Sequence, residues 1–145
     1  MSHKIVPTIS SGTAGPLGVL HLPRLWQKMS LGAVGKLADG YKNCGPGYDL
    51  MVLDAIGVNH DALISFVESS KPNYVEFEKF IAENATKLNE ASIAEINGAV
   101  AGYQHKDETR QSILAAVGLP DGKPTDAVNL NNLDDWHEFH ASEIA

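Results

Sequence analysis

Apolar residues recur at helical spacing along most of the chain, and the clearest run comes early. Leu22, Trp26, Met29, Ala33 and Leu37 follow one another at steps of four, three, four and four, with Leu25 and Val34 beside them. That spacing makes one buried face of a helix over about residues 22–39. Pro23 suits its first turn, where a missing N–H costs nothing, and Gly40 is the expected left-handed stop. A second stripe, Arg24, Lys28, Gly32, Gly35 and Asp39, lies along another side of the same helix. Two glycines inside a helix weaken it by about 1 kcal/mol each relative to alanine, so the pattern predicts a compensating close approach by another helix, a backbone segment or a ligand.

Residues 1–20 carry Pro7, a Ser10-Ser11-Gly12 run and a Gly15-Pro16 pair, which break any helix. They read as an extended N-terminal arm, with Leu17, Val19 and Leu20 laid against a single helical domain over 21–145 and the first few residues loose. Tyr41 to Gly47, YKNCGPG, is a turn that delivers the chain to a new helix start at Tyr48 or Asp49. Met51, Leu53 and Ile56 supply that helix with apolar contacts before Gly57 stops it, and Asn59 caps the next, which carries Leu63, Ile64, Phe66 and Val67. Capping-box spacings at Asn73 with Glu76 and at Ser92 with Glu95 open two more helices. Asp107 caps a helix with Ile113, Leu114 and Val117, and Leu130 to Ala145 reads as a connector and a short terminal helix. No alternating run demands a sheet. The expected fold is all-α, a compact bundle of about six helices with an extended N-terminal arm.

Length and composition agree with one domain. The chain has 145 residues, 43% of them hydrophobic, enough for a core without disulfides. No apolar run approaches a membrane span and no secretory signal opens the chain, so no membrane association and a cytoplasmic location are expected. The single cysteine, Cys44, agrees with a reducing compartment. A formal charge of −7 argues against nucleic acid as a partner. Its distribution changes the picture: residues 1–49 hold five basic side chains against two acidic ones, while the remainder holds six against sixteen. A locally basic segment on an acidic protein suits a small anion, an acidic partner element or docking on the acidic remainder.

The order of features also resembles a known family. Leu22-Pro23-Arg24 with Lys28, the glycine-containing helix leading to Tyr41, Cys44 and Asp49, the segment Asp54-Ala55-Ile56-Gly57-Val58, the Ser92-to-Asn97 helix start and the closing Leu133-Asp134-Asp135 resemble the bacterial domain-of-unknown-function family numbered 5069. The resemblance covers the chain from about Leu17 and implies a small helical fold. Two departures stand in the opening stretch: Gln27 occupies the place of an acidic residue, and Gly45-Pro46-Gly47 lengthens the cysteine-to-aspartate link.

Candidate chemistry gathers in the same stretch. Arg24 and Lys28, one turn apart, can converge on a carboxylate or phosphate, the first as a planar fork and the second as a point charge. The alternative is a structural bridge from Arg24 to Asp49, Asp134 or Asp135. Glycines near Gly47 and the free N–H groups of the helix start would assist an anion, unless Asp49 satisfies those donors itself. Cys44 would be a nucleophile if cations stabilised its thiolate and His21 or His60 stood in reach; the alternative is a small buried residue. Tyr41 is a general acid, a pocket wall or a packed core residue. His137 and His140 share a helix face, but zinc needs a third ligand, so neither a metal nor a cofactor is expected.

Two functions compete. One is a small-molecule-binding protein, or an enzyme acting on a small anionic substrate, with Arg24, Lys28, Gly47 and Asp49 binding and Tyr41, Cys44 or His21 supplying the chemistry. The other is a noncatalytic interaction module or accessory subunit, in which the glycine stripe docks a protein partner or a second copy of the chain.

Overall fold

The computed structural model describes residues 3–145; the expected looseness at Met1 and Ser2 falls outside them. Seven helices follow in order: α1 (Leu22–Ala33), α2 (Tyr48–Ile56), α3 (His60–Ser70), α4 (Tyr74–Asn84), α5 (Glu90–Gly102), α6 (Asp107–Ala116) and α7 (Ala127–Glu143). The fold is all-helical, with one helix more than the expected six. Its only extended pairings among the described residues are isolated bridges, including Ile5 with Leu37 and Gln104 with Asp126.

The apolar pattern became the core. Val19, Leu22, Leu25 and Met29 pack with Val52, Leu53 and Ile56 of α2, Leu63 and Val67 of α3, Phe77 and Ile81 of α4, and Ile96 and Val100 of α5. Leu114, Ala127 and Leu130 are buried apart from that cluster, where α6 meets α7. Burial of this kind contributes about 1.5–3 kcal/mol for each large side chain and sets the bundle.

α1 is shorter than its apolar spacing predicts, ending at Ala33 rather than near Asp39. Gly35, at φ 70°, makes the left-handed turn. Its N–H donates to the Gly32 carbonyl, and the Lys36 N–H reaches back to that of Leu31. This pair of bonds closes a helix end, so Gly35 and not Gly40 is the stop. The chain then extends, and Leu37 bridges Ile5 of the arm. Gly32 has a different use: a Cβ there would lie 2.8 Å from the Cβ of Asn43, so its bareness lets the following loop settle onto α1. The stripe of small residues is thus split: Gly32 meets Asn43 within the chain, and Gly35, exposed, ends the helix.

Two other helix starts move. α5 begins at Glu90, because Asn89 and Ser92 form the reciprocal cap instead of Ser92 with Glu95. At α6, Asp107 is already helical and pairs with Arg110 at 2.7 Å rather than capping. The largest change is α7, a 17-residue helix capped by Asp126, in place of a connector and a short helix.

The arm is held along its length. Gln27 accepts from the Thr8 and Ile9 N–H groups and donates to the Thr8 hydroxyl. A carboxylate cannot donate, which gives the departure at this position a structural use. Glu78 accepts the Leu17 N–H, and Asn97 exchanges two bonds with Leu20 and Gly18. The arm thus lies over α1 and completes the walls of a cavity.

Candidate functional site

The buried polar residues are not scattered; most meet beside α1. His21, at the start of α1, adopts a left-handed backbone at φ 77° and offers no side-chain cap to its helix. Its ring turns instead to two partners. Nδ1 lies 2.9 Å from the Ser11 hydroxyl, and Nε2 lies 2.6 Å from Asp49 Oδ1. Asp49 Oδ2 accepts from Lys28 Nζ at 2.6 Å and from the Gly45 N–H at 2.8 Å. Ser11, His21, Asp49 and Lys28 are only 2, 1, 3 and 9% exposed.

Charge balance sets the protonation of this chain of groups. Burial by itself would raise the Asp49 carboxyl, but the His21 hydrogen bond and the Lys28 charge outweigh it and hold the group below its ordinary 3.8. Burial also keeps His21 below its ordinary 6.5, against the pull of Asp49. Since Lys28 already neutralises Asp49, the imidazole stays uncharged. An ionised Asp49 can only accept, so Nε2 carries the proton and Nδ1 is left as the acceptor of the Ser11 hydroxyl.

The network is therefore acid-sensitive, with both shifts acting in one direction. The unfolded His21 takes a proton below about pH 6.5 more readily than the folded one, so stability present above that pH is lost as the pH falls. Asp49 adds a further loss below its ordinary 3.8. Urea melts from pH 8 to 4 should show stability declining below about 6.5, and His21→Asn should flatten that decline. An unchanged slope in the variant would assign it to other histidines.

A second network borders the first. Arg24 grips Asp135 of α7 with both Nη atoms, at 2.6 and 3.2 Å, and also donates to the Ile9 carbonyl of the arm. Tyr41 donates to the same carboxylate at 2.9 Å. Burial and the Asp135 charge push the Tyr41 hydroxyl well above its ordinary range, so it holds its proton and stands in the cavity wall as a donor to Asp135.

Between these networks lies a cavity of about 450 Å³. Its walls include Ser11 of the arm, His21, Arg24, Lys28, Tyr41, Lys42, the residues from Gly45 to Asp49, and Tyr103 and His105 beyond α5. Asn131 and Asp134 enter from α7. Gly47, at φ 94°, opens α2 and has no side chain to cap it, while the Asp49 carboxylate is turned toward His21, Lys28 and the Gly45 N–H. Of the two roles open to Asp49 from sequence, it thus takes the inward one and not the cap of α2. Tyr48, its hydroxyl pushed up to about 12 by burial and by Asp126, stacks edge-on with Tyr103, and Tyr103 with His105, which gives one wall an aromatic lining.

The structure brings His21, Arg24, Lys28, Tyr41, Gly47 and Asp49 together and leaves Cys44 out. The Cys44 thiol packs half-buried against the core, and burial and then the Asp49 charge push it upward. His21 is engaged elsewhere, and His60 pairs with Asp54 at 2.7 Å. Cys44 thus lacks the base and the stabilised thiolate that a nucleophile needs. Arg24 and Lys28 line the cavity, but an internal carboxylate already matches each charge. Lys42, exposed at the rim, has no such partner among the described residues. Sequence reasoning missed Ser11, Tyr48, Tyr103, His105 and Asn131 as wall residues. Asp134, weighed from sequence only as a partner for Arg24, is a further wall residue, its half-buried carboxyl pushed up by burial and by Asp135 and Glu138. The spacing Asn131, Asp134, Asp135 was the available signal, since it is one face of a helix.

His137 and His140 are exposed on α7, and no group of three or more metal-binding side chains is assembled among the described residues. No single helix among them is long and apolar enough to cross a membrane. Fold and site together define an all-helical protein with a polar cleft between its first helix and its last. No protein-family model matches the chain, and no curated protein matches it.

Proposed function

We propose that this chain is a cytoplasmic small-molecule protein that binds a small carboxylate or phosphate in the cleft and acts on it as an enzyme. The observation that carries the reading is the cavity itself, where a neutral buried imidazole, the uncapped start of α2 and the rim cation Lys42 border one space. Helix-start N–H groups and Lys42 suit an anionic group. His21, held uncharged at neutral pH, suits proton abstraction. Arg24, Lys28, Tyr41, Asp49 and Asp134, which carry part of the resemblance to the family numbered 5069, all border this cavity. The rival reading as an interaction module loses one support, because Gly32 and Gly35 are occupied by internal packing and a helix end.

The test is thermal denaturation with a panel of small carboxylates and phosphates. A ligand at about a hundred times its Kd stabilises the folded state by about 2.7 kcal/mol. For a chain of this size the melting temperature then rises by roughly 5–10 °C. Lys42→Ala, at an exposed rim position, should weaken the response about three- to tenfold at low salt without changing the unliganded melting temperature. No shift with any anion, with a dimer-to-monomer change in light scattering on dilution, would favour the docking alternative.

A further inference from the structure

We infer that Ser11 is a nucleophile, activated by His21 and Asp49, and that the cavity takes a small carboxylic ester or thioester bearing an anionic group. The inference rests on the reading of the cleft as an anion site and adds the reaction class. Three observations carry it. Ser11, His21 and Asp49 form a continuous hydrogen-bonded line with separations of 2.9 and 2.6 Å. Their protonation runs in one sense, from the Ser11 hydroxyl toward a bare Nδ1, with Nε2–H fixed on a carboxylate that Lys28 and the Gly45 N–H hold in place. All three residues border the cavity, so the line ends on open space and not in the core.

A merely structural role leaves the choice of His21 unaccounted for. A serine, threonine, aspartate or asparagine at this position would cap α1. Histidine forgoes the cap and holds a left-handed backbone, and both concessions set its ring between Ser11 and Asp49. Non-glycine residues held in that conformation concentrate at functional sites. The same arrangement of hydroxyl, imidazole and carboxylate recurs on unrelated folds and is recognised by its geometry and roles rather than by sequence order.

The step balances with the groups present. Ser11 Oγ attacks the acyl carbon as its proton passes to His21 Nδ1, and the imidazolium is stabilised by Asp49, a positioning residue. The bond from the acyl carbon to the leaving oxygen or sulfur breaks, and the leaving group takes the proton from Nδ1. Water then attacks the acyl-Ser11 ester, giving its proton to Nδ1, and Ser11 Oγ recovers it as the free acid departs. The uncapped first turn of α2, with Tyr48 and Asp49 on the cavity wall, supplies N–H groups for the negative charge that develops or for the substrate's anionic end.

An alkyl fluorophosphonate, which loses fluoride to an activated serine, tests the inference on the full chain by intact mass at pH 7.5. The expected result is one phosphonyl adduct, located at Ser11 by peptide mass, absent from Ser11→Ala and slowed about 10³-fold or more in His21→Asn. Circular dichroism checks that both variants remain folded; if His21→Asn does not, Ser11→Ala and the location of the adduct decide the matter alone. 4-Nitrophenyl acetate should acetylate the same residue and be hydrolysed. A folded wild type that gains no adduct, or one whose adduct persists in Ser11→Ala, overturns the inference. Anion-dependent stabilisation without labelling would leave the binding reading standing and remove the nucleophile. Labelling without any anion response would do the reverse.

Discussion

Alanine at position 49 is expected to destabilise the protein by about 3–5 kcal/mol, the characteristic cost of removing one partner from a buried ion pair. Asp49 is the sole acceptor shown for the Lys28 ammonium, for His21 Nε2 and for the Gly45 N–H, and its loss strands a buried charge and two buried donors at once. For a chain of this size the melting temperature should fall by roughly 10 °C. Urea melts should show a lower midpoint at an unchanged slope, since the surface exposed on unfolding stays the same. Asp49→Asn, which keeps an acceptor but not the charge, should fall between wild type and alanine. Replacing Lys28 by methionine in the alanine background should restore part of the loss, because the stranded charge is then gone. A loss under about 1 kcal/mol in Asp49→Ala would show that the pair is effectively hydrated, against the burial seen here.

Asp135→Ala should cost a similar 3–5 kcal/mol, for a related reason with a different structural consequence. Arg24 is 6% exposed, and its guanidinium spends both Nη atoms on this carboxylate, which also receives the Tyr41 hydroxyl. The contact ties α1 to a helix more than a hundred residues further along the chain. Hydrogen exchange should therefore accelerate most along α7 and in the Tyr41 loop while α3 and α4 change little. An Arg24→Met, Asp135→Leu pair should recover most of the stability, because exchanging a buried ion pair for packed apolar groups is often neutral or favourable. Uniform acceleration across all seven helices would instead mean that this bridge supports the whole fold rather than the docking of α7.

Legibility followed the chemistry of the buried face. α3 and α4 bury Leu63, Val67, Phe77 and Ile81, and their Asn59 and Asn73 caps stand where the sequence placed them. α7 was underestimated because its inward side carries Asn131, Asp134 and Asp135 beside Leu130, which reads as a solvated face when apolar spacing is the guide. Arg24 illustrates the same limit. Its pairing with Asp49, Asp134 or Asp135 was open from sequence, and the choice of Asp135 depends on where α7 crosses α1. Ser11 gave no signal at all: in a run of Ser, Ser and Gly it is an ordinary turn residue until the arm folds back onto α1.

By itself, then, the order of residues determined the helical class, the Asn59 and Asn73 caps, the apolar core and the basic character of the opening segment, because those properties depend on local spacing and on near neighbours. Only the tertiary structure decided which carboxylate each cation meets, that Cys44 faces the core, and that Ser11, His21 and Asp49 align beside one cavity. Those outcomes join residues from the arm, two helix starts and the last helix, and attraction between charges depends on distance and burial in space, which a linear sequence does not specify.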